Sequence, residues 1–367
     1  MQYTKGYKYR IYPNKTQQNL IDKTLGCCRF VYNHFLAVRS EAWNERQESI
    51  GYTKTSQLLT ELKTDKEFLW LKEVDSMALQ ESLRNLDRGF QNFFAKRGRY
   101  PRFKSKHSHN QSFRTRNQSN GIRLMDEKHL KLPRIGEVKL KLSRQFSGKI
   151  LNATVSKTAS EKYFVSLCVE EDIKLNLNDD NEIGIDVGLK EFYSDSNGNT
   201  VSNPKPLRKL TKKLIREQRK LSKKVKGSNN RNKQRIRVAR VHEKISNIRK
   251  DFLHKVSLKL VKENQIIAIE NLNIKGMMKN HKLAKAISDV SWSEFFRMLE
   301  YKAVLFGAEI KKVETFYPSS QTCSNCGYKY PLVKNLAIRK WKCPSCQTEH
   351  NRDTNAAINI LRQAKSA

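Results

Sequence analysis

The sequence has no long apolar run and few acidic residues, and both features limit the classes of protein to which it can belong. We find no stretch of about 18 apolar residues, the length that crosses a bilayer, and no charged-then-apolar leader at the N-terminus. Asp and Glu number 36 against 72 Lys and Arg, which gives a formal net charge of +36 over 367 residues. A surface this basic repels itself unless a polyanion binds it. These features favour a cytoplasmic protein that binds nucleic acid, with acidic membrane as the rival partner.

Cysteine is also sparse, and its seven copies argue against a disulfide framework because the count is odd. Cys27, Cys28 and Cys168 lie among apolar residues, as small buried hydrophobes do. The other four form the pattern C-x2-C-x16-C-x2-C and are Cys323, Cys326, Cys343 and Cys346. Two Cys-x-x-Cys turns present four thiolates to one ion, so we expect one structural Zn²⁺ rather than a redox pair. His350 is close by and is expected to face solvent or a phosphate.

The N-terminal part of the sequence predicts a β domain interrupted by helices. Residues 1–12 alternate like a strand, and Asn14 or Thr16 can cap the helix that follows. Three more helical patterns occupy residues 55–95, and short alternating runs over 112–170 predict antiparallel strands. Because the first strand precedes the helices, the helical block is predicted to be inserted into a small sheet or barrel.

After an acidic linker, IKLNLNDDNE, strands and helices alternate. The segments IGIDVGLK and QIIAIENL each contain an apolar strand, and the second is of the kind buried in parallel or mixed sheets. Ser291 and Glu294 predict a capping box at the start of a helix that Gly307 ends. Residues 180–367 are therefore predicted to form an α/β domain.

Three carboxylates occupy unusual places in this second half. Asp186 lies inside an apolar strand with Gly184 and Gly188 leaving room beside it, Glu270 ends a strand, and Asp353 opens the last helix. Each alone fits an ordinary role as turn acceptor, lysine partner or helix cap. Together they can converge at one edge of a sheet, and such a cluster needs cations. We expect two Mg²⁺ ions, or Mn²⁺, that serve in-line attack on a phosphodiester.

Two stretches concentrate the positive charge. Residues 205–244 contain seventeen Lys or Arg and two acids. A solvated helix face is the ordinary explanation, but so one-sided an excess favours a phosphate track. The segment KRGRYPRFKSK interleaves aromatic rings with cations, as nucleic-acid-binding surfaces do. Its candidate contacts are Arg97, Arg99, Tyr100, Arg102, Phe103, Lys104 and Lys106. Arg352, beside Asp353, either holds the scissile phosphate or faces solvent.

Segments spread over nearly the whole chain match one protein family in the right order. They include YPRFKSKHS, GIDVGLKEF, IAIENLNIKGM, YPSSQTCSNCG and WKCPSCQTEHNRDTNAAINI. Through these motifs the chain resembles the TnpB (OrfB) family of transposon-encoded RNA-guided DNA endonucleases, which are similar to the compact type V CRISPR effectors. The resemblance is most specific in the C-terminal motifs.

The resemblance implies a multidomain α+β architecture. It consists of a wedge β-barrel at 1–12 and 96–178, a helical recognition domain at 13–95, a RuvC (RNase H-like) nuclease at 179–318 and 350–367, and a zinc-ribbon target-nucleic-acid-binding domain at 319–349.

The resemblance also implies an activity and its partners. Asp186, Glu270 and Asp353 are then the catalytic, magnesium-binding triad, and none of the three is substituted. A guide RNA from the transposon end directs the enzyme to double-stranded DNA beside a short adjacent motif. We expect a monomer with no membrane partner. Two alternatives stay open: a transposase that transfers DNA strands, and a guided repressor that binds DNA without cutting it.

Overall fold

The computed structural model describes residues 2–108, 111–172 and 181–366, and the chain divides into two compact units, Met1–Ile173 and Lys174–Ala367. Most of the predicted acidic linker and the predicted boundary between 178 and 179 lie outside the described residues. The mixture of helices and sheets confirms an α+β chain. The predicted domain limits stay predictions.

The first unit is built on a seven-stranded antiparallel sheet. Its strand order is β2-β6-β7-β1-β5-β4-β3, so the first strand of the chain lies in the middle. The strands are β1 (Gln2–Tyr12), β2 (Gln111–Arg116), β3 (Arg123–Leu124), β4 (His129–Leu132), β5 (Gly136–Lys141), β6 (Lys149–Lys157) and β7 (Tyr163–Asp172). The predicted insertion of helices between the first strand and the rest of the sheet is confirmed.

The inserted helical block consists of α1 (Lys15–Arg46), α2 (Tyr52–Leu62), a 3₁₀ segment (Lys66–Glu73) and α3 (Ser76–Phe94). Asn14 caps α1 as predicted, because its side chain accepts the Gln17 N–H while the Gln17 side chain accepts the Asn14 N–H. The three further helical patterns are confirmed as helical segments, and the middle one is a 3₁₀ helix. Its Leu71 is buried, and its Phe68 and Trp70 rings contact Phe30 of α1.

The second unit is built on a five-stranded mixed sheet, as the sequence predicts. Strands β8, β11 and β12 run parallel, and β9 and β10 continue antiparallel from β8, in the order β10-β9-β8-β11-β12. Their bounds are β8 (Glu182–Val187), β9 (Glu191–Asp195), β10 (Thr200–Ser202), β11 (Ile266–Glu270) and β12 (Glu309–Val313).

Six helices and a small hairpin complete this unit within the described residues. They are α4 (Pro206–Ser222), α5 (Asn229–Glu263), α6 (Ile274–Met277), α7 (His281–Val290), α8 (Trp292–Phe306), β13 (Lys340–Lys342), β14 (Glu349–Asn351) and α9 (Arg352–Ser366). Helices α4 and α5 pair around buried Leu214, Val241 and Ile245. Across the described part of the chain, no helix combines the length and apolarity that crossing a bilayer requires.

The predicted capping box at α8 is wrong, although Gly307 ends that helix as expected with φ +75°. Ser291 adopts a left-handed backbone conformation, φ +59°, because it ends α7 and begins α8 in one turn. Its hydroxyl donates to the Ser288 carbonyl oxygen, and Glu294 pairs with Arg297 instead.

Candidate active site and metal centre

Asp186 and Glu270 lie at the carboxyl ends of two neighbouring parallel strands. The last registered pair of β8 and β11 joins Ile185 to Ile269, and each carboxylate is the next residue on its strand. Both side chains are partly buried. The carboxyl ends of parallel strands are where α/β sheets place their ligands, so the two acids share the expected edge.

Asp353 reaches the same neighbourhood because α9 lies unusually close to β8. A Cβ atom added to Gly184 would lie 2.1 Å from the Ala357 carbonyl oxygen, so only glycine permits this approach. Asp353 stands in the first turn of α9, one turn before Ala357. The room that the sequence predicts beside Asp186 is therefore filled, on the Gly184 side, by the helix that carries the third carboxylate.

The electrostatics of Asp186 show that the three acids lie within range of one another. Burial raises the pKa of Asp186 well above its usual value, and the negative charges of Glu270 and Asp353 raise it further. The positive charges of Arg352 and Arg339 oppose this rise. Burial also raises the pKa of Glu270, while a hydrogen bond from Ser319 lowers it. Such shifts mark carboxylates that lack enough positive charge.

Two arginines flank the acids, and they are held differently. Arg339 forms an ion pair with Asp353, with Nη1 3.1 Å from Oδ2. Arg352 is 8% exposed, and its Nε and Nη1 atoms are buried without a hydrogen-bond partner. The alternative that Arg352 faces solvent is therefore wrong. Arg339 gave no signal in the sequence, because it lies between the cysteine pairs.

Polar residues of α9 fasten it to the loop that follows β12. Asn359 donates to the carbonyl oxygens of Ser319 and Thr322, at 2.8 and 2.6 Å, and is 3% exposed. Asn355 donates to Thr322 and accepts the Ser324 N–H. The Ser319 hydroxyl in turn donates to Glu270 Oε1 at 2.8 Å. These residues, which sequence reasoning missed, connect the second carboxylate to the helix of the third.

The donor chemistry of the three carboxylates fits a hard divalent cation. Carboxylate oxygens favour Mg²⁺ or Mn²⁺ over softer metals. Within the described residues, the four cysteines are the only group of metal ligands whose atoms all lie within 4.8 Å of one another. The three carboxylates do not form such a group in this structure, where Asp353 is paired with Arg339.

The four predicted zinc ligands do converge. Cys323 Sγ lies 3.6 Å from Cys346 Sγ, and Cys326 Sγ lies 3.6 Å from Cys343 Sγ. The two turns have matching backbone hydrogen bonds: the Gly327 N–H donates to the Cys323 carbonyl oxygen and the Gln347 N–H to the Cys343 carbonyl oxygen, both at 2.9 Å. Both donors adopt positive φ angles. Four sulfurs on two such turns fit one tetrahedral Zn²⁺.

His350 is not solvent-facing, contrary to the expectation. Its Nε2 lies 3.0 Å from Cys323 Sγ, and its ring lies 4.8 Å from that of Trp341. The Trp341 ring is buried with Val333 in a small core beneath the cysteines. β14 carries His350 across from Trp341 on β13, and this pairing brings it to the sulfurs.

The basic segment of the first unit is exposed, but two of its members are already engaged. The Lys104 ammonium lies 3.9 Å from the centroid of the Tyr32 ring, and the Tyr100 hydroxyl bonds Ser40. The remaining predicted contacts in that segment stay open to solvent and are Arg97, Arg99, Arg102, Phe103 and Lys106. Their role in binding nucleic acid stays a prediction.

Three protein-family profiles match parts of the chain. "Probable transposase" matches residues 166–281, "Cas12f1-like, TNB domain" matches 292–360, and "Helix-turn-helix domain" matches 1–48. The structure of residues 2–48 differs from the last description, because it has one strand followed by the single helix α1.

Relatives match over almost the full length. A protein of Streptomyces pristinaespiralis is 40% identical over 372 residues, covering 100% of this chain and 90% of the relative. A protein of Escherichia coli K12 is 34% identical over 378 residues, covering 98% and 92%. Both carry the name "Putative RNA-guided DNA endonuclease", the second with the addition InsQ.

The fold is similar to that of a solved structure described as a Cas12f1–sgRNA–target DNA complex. The TM-score is 0.62 at 14% identity, over 98% of this chain and 99% of that one.

Proposed function

This chain belongs to the TnpB-like family of RNA-guided DNA endonucleases, and from that premise we propose that it cuts double-stranded DNA at the Asp186–Glu270–Asp353 site. The observation that carries the proposal is the placement of Asp186 and Glu270 on neighbouring parallel strands, where burial raises both pKa values and the charge of Asp353 also acts on Asp186. A guide RNA selects the target, and the protein reads a short adjacent motif. The proposed site of action is the cytoplasm.

The residues of this chain have distinct parts in the proposed reaction. Asp186, Glu270 and Asp353 would hold two Mg²⁺ ions, which supply an activated water and neutralise charge on the leaving oxygen. Ser319 fixes the Glu270 carboxylate through its 2.8 Å hydrogen bond. The unpartnered Nε and Nη1 of Arg352 can donate to an oxygen of the scissile phosphate. Arg339 would orient the Asp353 carboxylate through their 3.1 Å ion pair.

Zinc has a separate, structural part in the proposal. Cys323, Cys326, Cys343 and Cys346 would hold one Zn²⁺ with four thiolates, which would leave no coordination position for a substrate. The ion would hold the segment between β12 and α9, and this segment supplies both Ser319 and Arg339. We further propose that the segment binds the target nucleic acid, as the profile matched over residues 292–360 suggests.

Cleavage by the purified complex tests the proposal. The full chain is purified with its bound RNA, the RNA is sequenced, and its 3′ segment defines a target plasmid. We expect Mg²⁺-dependent double-strand breaks with 5′-phosphate and 3′-hydroxyl ends. Asp186→Ala should slow cutting by at least about a thousandfold while RNA and target binding persist. Asp251→Ala is the matched control, because that exposed carboxylate pairs with Lys255.

The products separate the alternatives. Strand joining would replace the nuclease with a transposase. Tight target binding by the wild-type complex without cutting in Mg²⁺ or Mn²⁺ would replace it with a guided repressor. Near-wild-type cutting by Asp186→Ala would refute the assigned site.

A further inference from the structure

Phe316 is a bulky aromatic residue displayed almost completely to solvent. Phe316 is 92% exposed and lies in the loop between β12 and the helical turn that begins at Ser319. Its φ angle is +76°, a left-handed backbone conformation. A residue that is neither Gly, Asn nor Asp rarely adopts this conformation, and for a bulky side chain it indicates strain.

The loop around Phe316 is anchored at both of its ends. Val313 before it is 4% exposed, and Tyr317 after it packs with Val313 and Ile360 in one apolar cluster. The Tyr317 N–H donates to the Glu314 carbonyl oxygen, which closes a turn that contains Phe316. Within this anchored turn the Phe316 ring faces solvent and does not pack on the protein.

The anchored loop is also part of the carboxylate site. Ser319, three residues after Phe316, is 5% exposed and donates to Glu270 at 2.8 Å. β12 lies directly beside β11, so the loop leaves the sheet at the edge where Glu270 stands. The strained ring is thus displayed at the border of the proposed catalytic centre.

We propose that Phe316 is a stacking platform for a base of the DNA strand that enters the carboxylate site. A hydrolytic site that takes one strand leaves bases unpaired, and an exposed ring offers them a sequence-tolerant face. The net charge of +36 favours a nucleic acid over an apolar protein partner. This inference rests on the proposed function and adds a substrate-positioning residue to it.

Single-turnover cleavage of the target defined by the co-purified RNA tests the role. Phe316→Ala should cut about tenfold more slowly than wild type, since one base stack is lost. Phe316→Trp should cut at the wild-type rate, because it restores a ring. Phe316→Gly should cut at the same reduced rate as Phe316→Ala, although glycine removes the backbone strain of the positive φ angle. Comparing the two variants therefore separates the effect of losing the ring from the effect of backbone strain. Target binding should stay unchanged in all three, because guide pairing dominates it.

A fluorescent base reports the contact itself. 2-Aminopurine placed at positions around the cut should be quenched at one position in wild type and Phe316→Trp, and not in Phe316→Ala. Trp43→Ala, which removes an exposed aromatic of the first unit, is the control and should cut normally.

The outcomes distinguish the stacking role of Phe316 from the proposed nuclease function on which it rests. If wild type does not cut, the proposed function fails. If wild type cuts and Phe316→Ala equals it, or if Phe316→Ala loses target binding to the same degree as cutting, the stacking role is overturned.

Discussion

Asp186 is held in a place that disfavours its own charge. Partial burial and two neighbouring carboxylates raise its pKa, and the two arginines compensate only in part. The folded protein therefore favours the protonated acid without a cation. That contribution to stability is present at low pH and is lost as the pH rises through the pKa of Asp186 in the folded state.

Replacing this charge with a neutral isostere should stabilise the cation-free protein. We expect Asp186→Asn in buffer free of Mg²⁺ and Mn²⁺ at pH 8 to raise the free energy of unfolding, because the amide carries no charge to bury beside Glu270 and Asp353. The gain should disappear at pH 4, where Asp186 is protonated. Thermal unfolding at both pH values measures it.

Asp195 in the same sheet provides the contrasting variant. Its carboxylate is 5% exposed and accepts the N–H groups of Asn197 and Asn199. Asp195→Asn should therefore lower the melting temperature at pH 8. A destabilised Asp186→Asn protein at pH 8 would contradict the electrostatic account.

Arg339 should set the acid limit of cutting. Its positive charge lowers the pKa of Asp186, so Arg339→Ala raises that pKa and moves the acid limb of the pH–rate profile to higher pH. Arg339→Lys keeps the charge and should hold the limb near its original position. Rate profiles measured in Mg²⁺ check this prediction. An unshifted acid limb in Arg339→Ala would show that the charge of Arg339 does not affect the pKa of Asp186.

The three carboxylates could be proposed from sequence because Asp186 interrupts an apolar strand, Glu270 ends one and Asp353 opens the last helix. Arg339 could not, since a basic residue in a ribbon has no local pattern and its partner Asp353 lies fourteen residues later. The burial of Arg352 was equally hidden, because its position beside Asp353 allowed two orientations. Contacts made by tertiary packing leave little trace in spacing.

Among the elements, α9 depends on one glycine of its neighbouring strand. Gly184→Ala places a methyl group 2.1 Å from the Ala357 carbonyl oxygen, so helix and strand must separate. We expect the free energy of unfolding of the second unit to fall by about 1–3 kcal/mol. Cutting should fall too, because Asp353 moves with the helix. Denaturant titration and cleavage assays measure the two effects.

Gly6 on β1 is the matched control. A Cβ atom there meets nothing within 4 Å, so Gly6→Ala should change stability by less than about 0.5 kcal/mol. Equal losses in the two variants would mean that the close approach of α9 does not matter.

The zinc-binding segment should depend on its metal. Cys343→Ser removes one thiolate, and we expect the protein to lose its zinc. Cutting should be lost as well, because the same segment contains Ser319 and Arg339, which contact Glu270 and Asp353. Cys168→Ser, outside the cluster, should keep one zinc per chain. Metal analysis by mass spectrometry is the measurement, and a zinc-free wild type would refute the site.

Elements with local signals were predictable, and those shaped by packing were not. β1, the Asn14 cap and the cysteine turns follow from residues within a few positions of one another. Ser291 and Glu294 have the spacing and residue types of a capping box. However, α7 ends at Ser291, which adopts a left-handed conformation there, so the box does not form. The order of the patterns predicted the helical insertion into the first sheet and the α/β second half, whereas the resemblance supplied the domain limits.

Over the whole molecule, the positive charge is concentrated along the α4–α5 pair. One groove of about 400 Å³ there is lined by Lys213, Lys220, Arg237 and Lys244, among others. Changing these four to Gln should weaken binding of the co-purified RNA. It should also reduce the slope of log K against log salt by about 3, at about 0.7 per contact.

A charge-matched control separates this groove from net charge. Lys54, Lys63, Lys66 and Lys72 of the first unit, changed to Gln, remove the same four charges and should leave the salt slope nearly unchanged. Equal slopes for both variants would assign RNA binding to overall charge instead of the groove.

The central position of β1 imposes an order in time on the first unit. Its partners are made far later, since Gln2 pairs with Asp172 and Arg10 with Lys141. At about 5–20 residues per second, a ribosome needs on the order of ten seconds to reach β7 after β1. During that interval the apolar side chains of Tyr9 and Ile11 have no sheet to enter, while α1 to α3 can already form. The nascent chain thus passes through an intermediate in which α1 to α3 can be folded and β1 is still unpaired, and this intermediate is the one that a chaperone would bind.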